Sequence, residues 1–348
     1  MNASLAVCIG NTFLYWNGII IAFGIAAGFL LMYSLYTAHS GPGSGLWIML
    51  CAALVIGLPA SRLIHFYFNK EQYTGILSAM TDYSGVSFWL PAAVLALVPA
   101  AWLTHLLRFP YSAGELLDAA APGAAFTIAM IRFSAVFGNT CRSMIPVTSP
   151  ALQTYPFADA LPDASGKPVW HFASFFVMAL LMLLVMLGAL IFYFRHHGDK
   201  MARPCSRSGN VARLFLLFYC AVELVLDSTR ADSSYLNFGL LQFLNPYVSF
   251  VSLTQLFAAV SMLAVMVYYS RCSAAANGTK PRWFVLLVLW ILGMLGTGVS
   301  EYLVQRYTNR FLLFYFTQSL SVLLMVVSTI IMYITCREPA DSAQNEYQ

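Results

Sequence analysis

Long apolar stretches, broken by short polar segments, run along nearly the whole chain. Hydropathy marks nine of them, at roughly 12–36, 46–68, 86–107, 117–138, 170–194, 211–228, 248–270, 282–300 and 311–335. Each is close to the ~20 apolar residues a helix needs to cross a hydrocarbon core. Lipid offers backbone N–H and C=O groups no partners, so such stretches fold as helices that satisfy themselves. The pattern predicts an all-α integral membrane protein with about nine transmembrane helices. The fourth and sixth stretches are the shortest and most polar. Polar groups at membrane depth are costly, so those two are where function is sought.

Segment 139–169 breaks the pattern. It is rich in Pro, Ser, Asp and Ala and reads as an external loop or cap, not a span. The tail 338–348 is short and polar and reads as disordered.

Composition sharpens the membrane reading. Of 348 residues, 60% are hydrophobic and 9% charged, against about 25% charged in a soluble domain. The mean hydropathy is +0.73. A chain this poor in charge could not cover its own surface in water. No basic stripe suits nucleic acid. The seven cysteines show no CxxC or metal-like spacing.

Charge placement sets an expected orientation. No Lys or Arg precedes Arg62, so neither a basic signal-peptide flank nor a cytoplasmic anchor is expected at the N-terminus. The densest basic segment, with Arg195, Lys200, Arg203 and Arg207, falls between the fifth and sixth stretches and should be cytoplasmic. Arg271, Lys280, Arg282 and Arg337 then share that side. The N-terminus is expected outside and the C-terminus in the cytoplasm.

Several charges lie at membrane depth. Arg62 sits near the end of the second stretch, and Arg132 sits inside the fourth. The sixth carries Glu223, Asp227 and Arg230, whose spacings of four and three place them on one helical face. Asp227 and Arg230 could simply pair, and Arg62 could snorkel to the interface. Yet a stripe of buried charge is retained mostly where it lines a site or pathway. A guanidinium offers a fixed fork of donors matched to phosphate. Arg132 and Arg230 together could hold one phospholipid head group, with a carboxylate or imidazole nearby as proton acceptor. Glu301, with Arg306 and Arg310 after it, reads as an external ion-pair cluster of structural character.

Across roughly residues 10–270 the chain resembles the prolipoprotein diacylglyceryl transferase family. Tyr15-Trp16-Asn17-Gly18 is similar to the opening of that family's first span. Ala60-Ser61-Arg62-Leu63 resembles its Gly-Ala-Arg motif, and Gly85-Val86-Ser87-Phe88 the lead into its third span. Asp118-Ala119-Ala120-Ala121-Pro122, with Arg132 ten residues after the proline, resembles its Asp-x-x-x-Pro and signature arginine. Tyr219, Asp227 and Arg230 fall where it has Tyr, Glu and Arg, and Ser252-Leu253-Thr254-Gln255 resembles its Ser-x-Gly-Gln.

The resemblance implies transfer of a diacylglyceryl group from phosphatidylglycerol, or a related anionic phospholipid, to the lipobox cysteine of a preprolipoprotein. The partners it implies are membrane lipid and the preprolipoprotein signal peptide, with no nucleic acid. No metal or nucleotide cofactor is implied. The location implied is the bacterial plasma membrane. It divides the chain into a seven-helix core over 1–270, two further helices over 271–337, and the tail. Arg132 would grip the phosphate and Arg230 assist. Glu223, Asp227 and His171 are the candidates for base or catalytic partner. Arg62, Tyr15, Asn17, Asn139, Tyr219 and Gln255 are expected to line the substrate.

The sequence departs from the family pattern at important places. Trp89-Leu90-Pro91 stands where the family has His-Gly-Gly with its proposed base histidine. Glu223 stands where it has another arginine. The Asn-containing signature is displaced by one, leaving Asn139 as a stand-in, and the stretch before the fifth span is reduced to Pro168-Val169-Trp170-His171. An alternative expectation is therefore a catalytically silent paralogue that kept the fold and the lipid pocket.

Overall fold

The computed structural model describes residues 5–9, 12–39, 41–68, 73–81, 89–107, 112–138, 141–154, 156–162, 167–198, 208–230, 251–277, 281–307 and 311–336. Ten α-helices make up most of it: α1 (Trp16–His39), α2 (Ser44–Phe68), the short α3 (Ile76–Thr81), α4 (Leu90–Leu107), α5 (Ala113–Ser134), α6 (Ser174–Gly198), α7 (Asn210–Leu226), α8 (Leu253–Asn277), α9 (Pro281–Arg306) and α10 (Phe311–Thr335). Eight of them are long and apolar enough to cross a bilayer, one fewer than the hydropathy pattern counts. The protein is a multi-pass membrane protein.

The ninth expected span is α7. Its 17 residues reach about 26 Å, short of a ~30 Å hydrocarbon core. A turn of 3₁₀-helix, Asp227–Thr229, extends it. That tighter turn also changes the expected geometry. Asp227 keeps right-handed helical dihedrals and its N–H donates to the Glu223 carbonyl, so it stays one turn above Glu223, whereas Arg230 is extended. The backbone leaves the helix at Arg230, yet its side chain turns back to Asp227.

Burial is divided unevenly among the helices. The α5 span is 61% buried, against 22% for α1 and 28% for α6. α5 packs against α1, α4, α6 and α7, which screen it from lipid. That enclosure is why a helix of modest hydropathy can carry Asp118 and Arg132. The α1–α5 crossing is close because both helices present glycine. A methyl group at Gly123 would fall on the Gly28 carbonyl, and one at Gly28 would strike Thr127. The Thr127 hydroxyl donates across the crossing to the Gly24 carbonyl at 3.1 Å. Small residues that admit a neighbouring backbone are a usual device of helix packing in lipid.

Two small β-hairpins flank the bundle. β1 (Leu5–Ile9) pairs antiparallel with β2 (Thr12–Tyr15), so the first apolar stretch begins as a strand and becomes helical at Trp16. β3 (Ala158–Pro162) pairs with β4 (Pro168–Phe172) inside the expected external segment. β4 takes the residues expected to start the fifth span, and α6 begins only at Ser174. Segment 143–147 ties this cap to the bundle. Val147 N–H donates to the Trp170 carbonyl at 2.8 Å, and Met144 N–H to the Thr229 carbonyl at 3.0 Å. An Arg142–Asp159 ion pair adds a side-chain link within the cap.

α9 and α10 pack on each other, and α10 lies against α7 and α8. The tail 338–348 and most of the basic segment after Gly198 lie outside the described residues.

Candidate functional site

The C-terminal end of α5 brings Arg132 into the interior, 4% exposed. One of its terminal nitrogens, Nη2, donates to Glu223 Oε1 of α7 at 2.6 Å. The other, Nη1, donates to the Cys141 Sγ at 2.9 Å. Its buried Nε–H has no partner among the described residues. Cys141 has a positive φ of 58°, so the chain turns sharply there to aim its sulfur inward. Tyr219, one turn before Glu223 on α7, is fully buried, stacks on Phe215, and lies beside both Glu223 and Arg132.

The 3₁₀ turn after α7 supplies the second half. Asp227 is 1% exposed. Its Oδ1 accepts from Arg230 Nη1 at 3.1 Å, and its Oδ2 accepts the Ser252 hydroxyl at 2.5 Å. Arg230 and Arg132 lie within reach of each other's charge. Two guanidiniums from separate segments thus meet around two carboxylates.

A further shell fixes this half. The Gln255 Oε1 accepts the Ser252 N–H at 3.0 Å, and the Gln255 N–H donates back to the Ser252 Oγ at 3.0 Å. The exchange is a capping box at the start of α8, turned to orient a hydroxyl. Gln255 also lies beside Glu301 of α9. Glu301 is buried rather than set in the external ion-pair cluster the sequence suggested, whose Arg310 lies outside the described residues. Glu301 is 3% exposed and accepts from Gln305 at 3.0 Å and from Gln318 of α10 at 2.8 Å. An acid in the middle of an apolar bundle turns toward amide donors rather than outward to arginine.

The remaining expected residues are dispersed. Arg62 is 4% exposed on α2, buried rather than snorkelling. Its neighbour Ser61 donates to the Trp89 carbonyl at 3.2 Å. Trp89, standing at the family's histidine position, donates its indole N–H to Thr254 of α8 at 3.1 Å. Tyr15 is exposed on β2. Asn17 accepts the Gly18 N–H at the start of α1 and lies near Gly138, just past the α5 end. His171 sits on β4 opposite Asp159, and no described contact joins it to Arg132 or Asp227. Asn139 lies outside the described residues.

Sequence reasoning missed Cys141 and Gln318, and it gave Asp118 a motif position without a role. Cys141 carried no spacing signal, since its partner is nine residues back on a different element. Gln318 could have been flagged as a fully buried polar side chain within an apolar helix. Asp118 plays a structural part. Its carboxylate accepts the Gly209 and Ala212 N–H groups at 2.7 and 2.9 Å and so caps α7 from another helix. Gly209 adopts φ +90° to start that helix, a conformation suited to glycine. The cap helps set the height of Glu223 relative to Arg132. Among the described residues no group of three His, Cys, Asp or Glu side chains could hold a metal ion.

The arrangement suits an anion and a proton. Fixed guanidiniums in a dry setting stabilise charge that develops on a leaving phosphate. A carboxylate held in reach can accept a proton. In comparison with known families, the prolipoprotein diacylglyceryl transferase model matches residues 4–271. No curated protein matches the chain.

Proposed function

Because this chain belongs to the prolipoprotein diacylglyceryl transferase family, we propose that it moves a diacylglyceryl group from phosphatidylglycerol to the lipobox cysteine of a preprolipoprotein within the membrane. The observation that supports this most is the meeting of Arg132 and Arg230 around Glu223 and Asp227 in the bundle interior. In this reading the acceptor thiol gives its proton to a carboxylate. The thiolate sulfur then attacks the glyceryl carbon that bears the phosphate ester. A C–S bond forms, the C–O bond breaks, and glycerol phosphate leaves with the electron pair. Arg132, through its Nε–H, and Arg230 take up the charge on that phosphate. Glu223 and Asp227 are the nearer bases, and His171 on the cap the remoter one. Tyr219, Gln255 and Arg62 shape the lipid side, Tyr15 and Asn17 the approach along α1, and Asn139 is a further substrate-binding candidate.

In this reading the site lies on the outer side of a bacterial plasma membrane, with the C-terminus cytoplasmic, as the distribution of basic loop residues supports. The core is residues 1–270, and 271–337 is an addition to it. The test is conversion of phosphatidylglycerol and a lipobox peptide to lipidated peptide by purified protein. No product above background in several lipid mixtures would sink the reading.

One observation favours a second reading. Glu223 already occupies the Arg132 fork at 2.6 Å, where a phosphate would bind. A silent lipid-binding paralogue would keep that pair closed. It would copurify with phosphatidylglycerol and leave it unchanged.

A further inference from the structure

A groove of about 560 Å³ runs between α6, α7 and α10. Leu181, Gly188 and Phe192 line it from α6, Leu226 from α7, and Ser319 and Val326 from α10. Ser319 is the sole polar lining residue, and its hydroxyl is spent on the Tyr315 carbonyl at 2.8 Å. The groove therefore offers a guest no free side-chain donor and an almost wholly apolar surface. From Leu181 to Phe192 the α6 wall rises about 16 Å, at 1.5 Å per residue. One leaflet of a ~30 Å hydrocarbon core is about as deep. The groove has the length and chemistry of one lipid chain.

Its position ties it to the charged site. Leu226, at one end, directly precedes Asp227 in the chain. Ser319, at the same end, follows Gln318, which donates to Glu301. A head group at Arg132 and Arg230 would leave a chain to descend along this wall. We propose that the groove holds one acyl chain of the phospholipid whose head group the arginines take. This assignment rests on the functional reading above. It also gives the C-terminal helices a role, since α10 lies beyond the family-matched residues 4–271 and builds one wall.

Gly188 provides the test. A Cβ added there meets no described protein atom within 4 Å, so a larger side chain has open space to grow into the groove. Replacing a mid-helix glycine by leucine also favours the helix. Lipid occupancy is then expected to fall with no loss of stability.

Wild type, Gly188→Leu and, from the α10 wall, the exposed Leu323→Trp are incubated with vesicles of dioleoyl phosphatidylglycerol or its dioctanoyl form. Retained lipid is read by native mass spectrometry, and Tm is measured in parallel. Both variants should retain about tenfold less dioleoyl lipid, the equivalent of roughly two buried methylenes, with dioctanoyl retention and Tm held. Unchanged dioleoyl retention in folded variants overturns the proposal. So does wild-type retention of dioleoyl phosphatidylcholine as strong as that of phosphatidylglycerol, which would make the groove a seat for bulk lipid. A wild type that retains phosphatidylglycerol but lipidates no peptide sinks the transferase reading and leaves the groove standing.

Discussion

Two buried glutamates in this molecule are held in opposite ways. Glu223, 1% exposed, faces the Arg132 guanidinium at 2.6 Å. Glu301, 3% exposed, is met by neutral amides from Gln305 and Gln318, with Gln255 beside it. The first belongs to a pair of opposite charges whose desolvation each partner offsets for the other. The second depends on hydrogen bonds alone. The contrast separates the parts of the bundle. Where α5 meets α7, charge is concentrated and directional, as anion chemistry requires. Where α8, α9 and α10 meet, polarity is diffuse and serves to hold elements in register. A hydrogen-bonded chain through Gln255 and Ser252 links Glu301 to Asp227 of the charged site.

The strongest way to break this contrast is Arg132→Ala. Removing one member of a buried pair leaves an uncompensated charge, at a cost of about 3–5 kcal/mol. Tm in detergent should fall sharply, and transfer activity should drop by at least about 10²-fold. The double variant Arg132→Met with Glu223→Leu should recover most of the Tm and none of the activity. If the double variant is as unstable as the single one, the pair is not what stabilises this region. Arg132→Lys keeps the charge but loses the fork, so its activity should stay low while its Tm largely recovers.

Glu301→Ala should cost less. It removes an acceptor from two amide donors, one of them on the fully buried Gln318, and the expected loss is about 1–3 kcal/mol. If Glu301 acts on catalysis only by holding Gln255, then adding Glu301→Ala to Gln255→Ala should reduce the turnover number little beyond Gln255→Ala alone. Strictly additive losses would mean that the two residues act separately. Gly123→Ala tests a third kind of contact, the close α1–α5 crossing. Its methyl would meet the Gly28 carbonyl, and overpacking of this sort costs about 1–3 kcal/mol, read as a lower Tm.

How far the sequence showed this contrast depends on locality. Arg132, Glu223 and Asp227 were visible because a charge stands out in an apolar run. Their convergence was expected in kind, but the Arg132–Glu223 pairing was not. It joins residues 91 apart, and no spacing rule reaches that far. The Asp118 cap on α7 was hidden for the same reason. The extended backbone at Arg230 was hidden by the short 3₁₀ turn that ends the helix before it, which periodicity does not signal. The cap hairpin was read as loop because Pro, Ser and Asp dominate it and its strands are only five residues long. Glu301 was misplaced because Arg306 and Arg310 are near it in sequence, whereas Gln318, its partner, arrives from the next helix.

The smallest effect concerns Trp89, which stands where the family carries its proposed base. Its indole N–H donates to Thr254, next to Gln255, and its ring meets Phe257 edge-on with centroids 5.9 Å apart. These contacts join the start of α4 to the start of α8. Trp89→Phe keeps an aromatic ring and removes one hydrogen bond, so the expected cost is about 0.5–1.5 kcal/mol, with activity within about threefold of wild type. Trp89 has no group that accepts a proton from a thiol at neutral pH, since its indole is a donor only. A loss of about 100-fold or more with an intact Tm would therefore mean that this position shapes the reacting geometry directly. In that event the reaction centre would lie at the α4–α8 junction, and the Arg132 cluster would be the structural member of the pair.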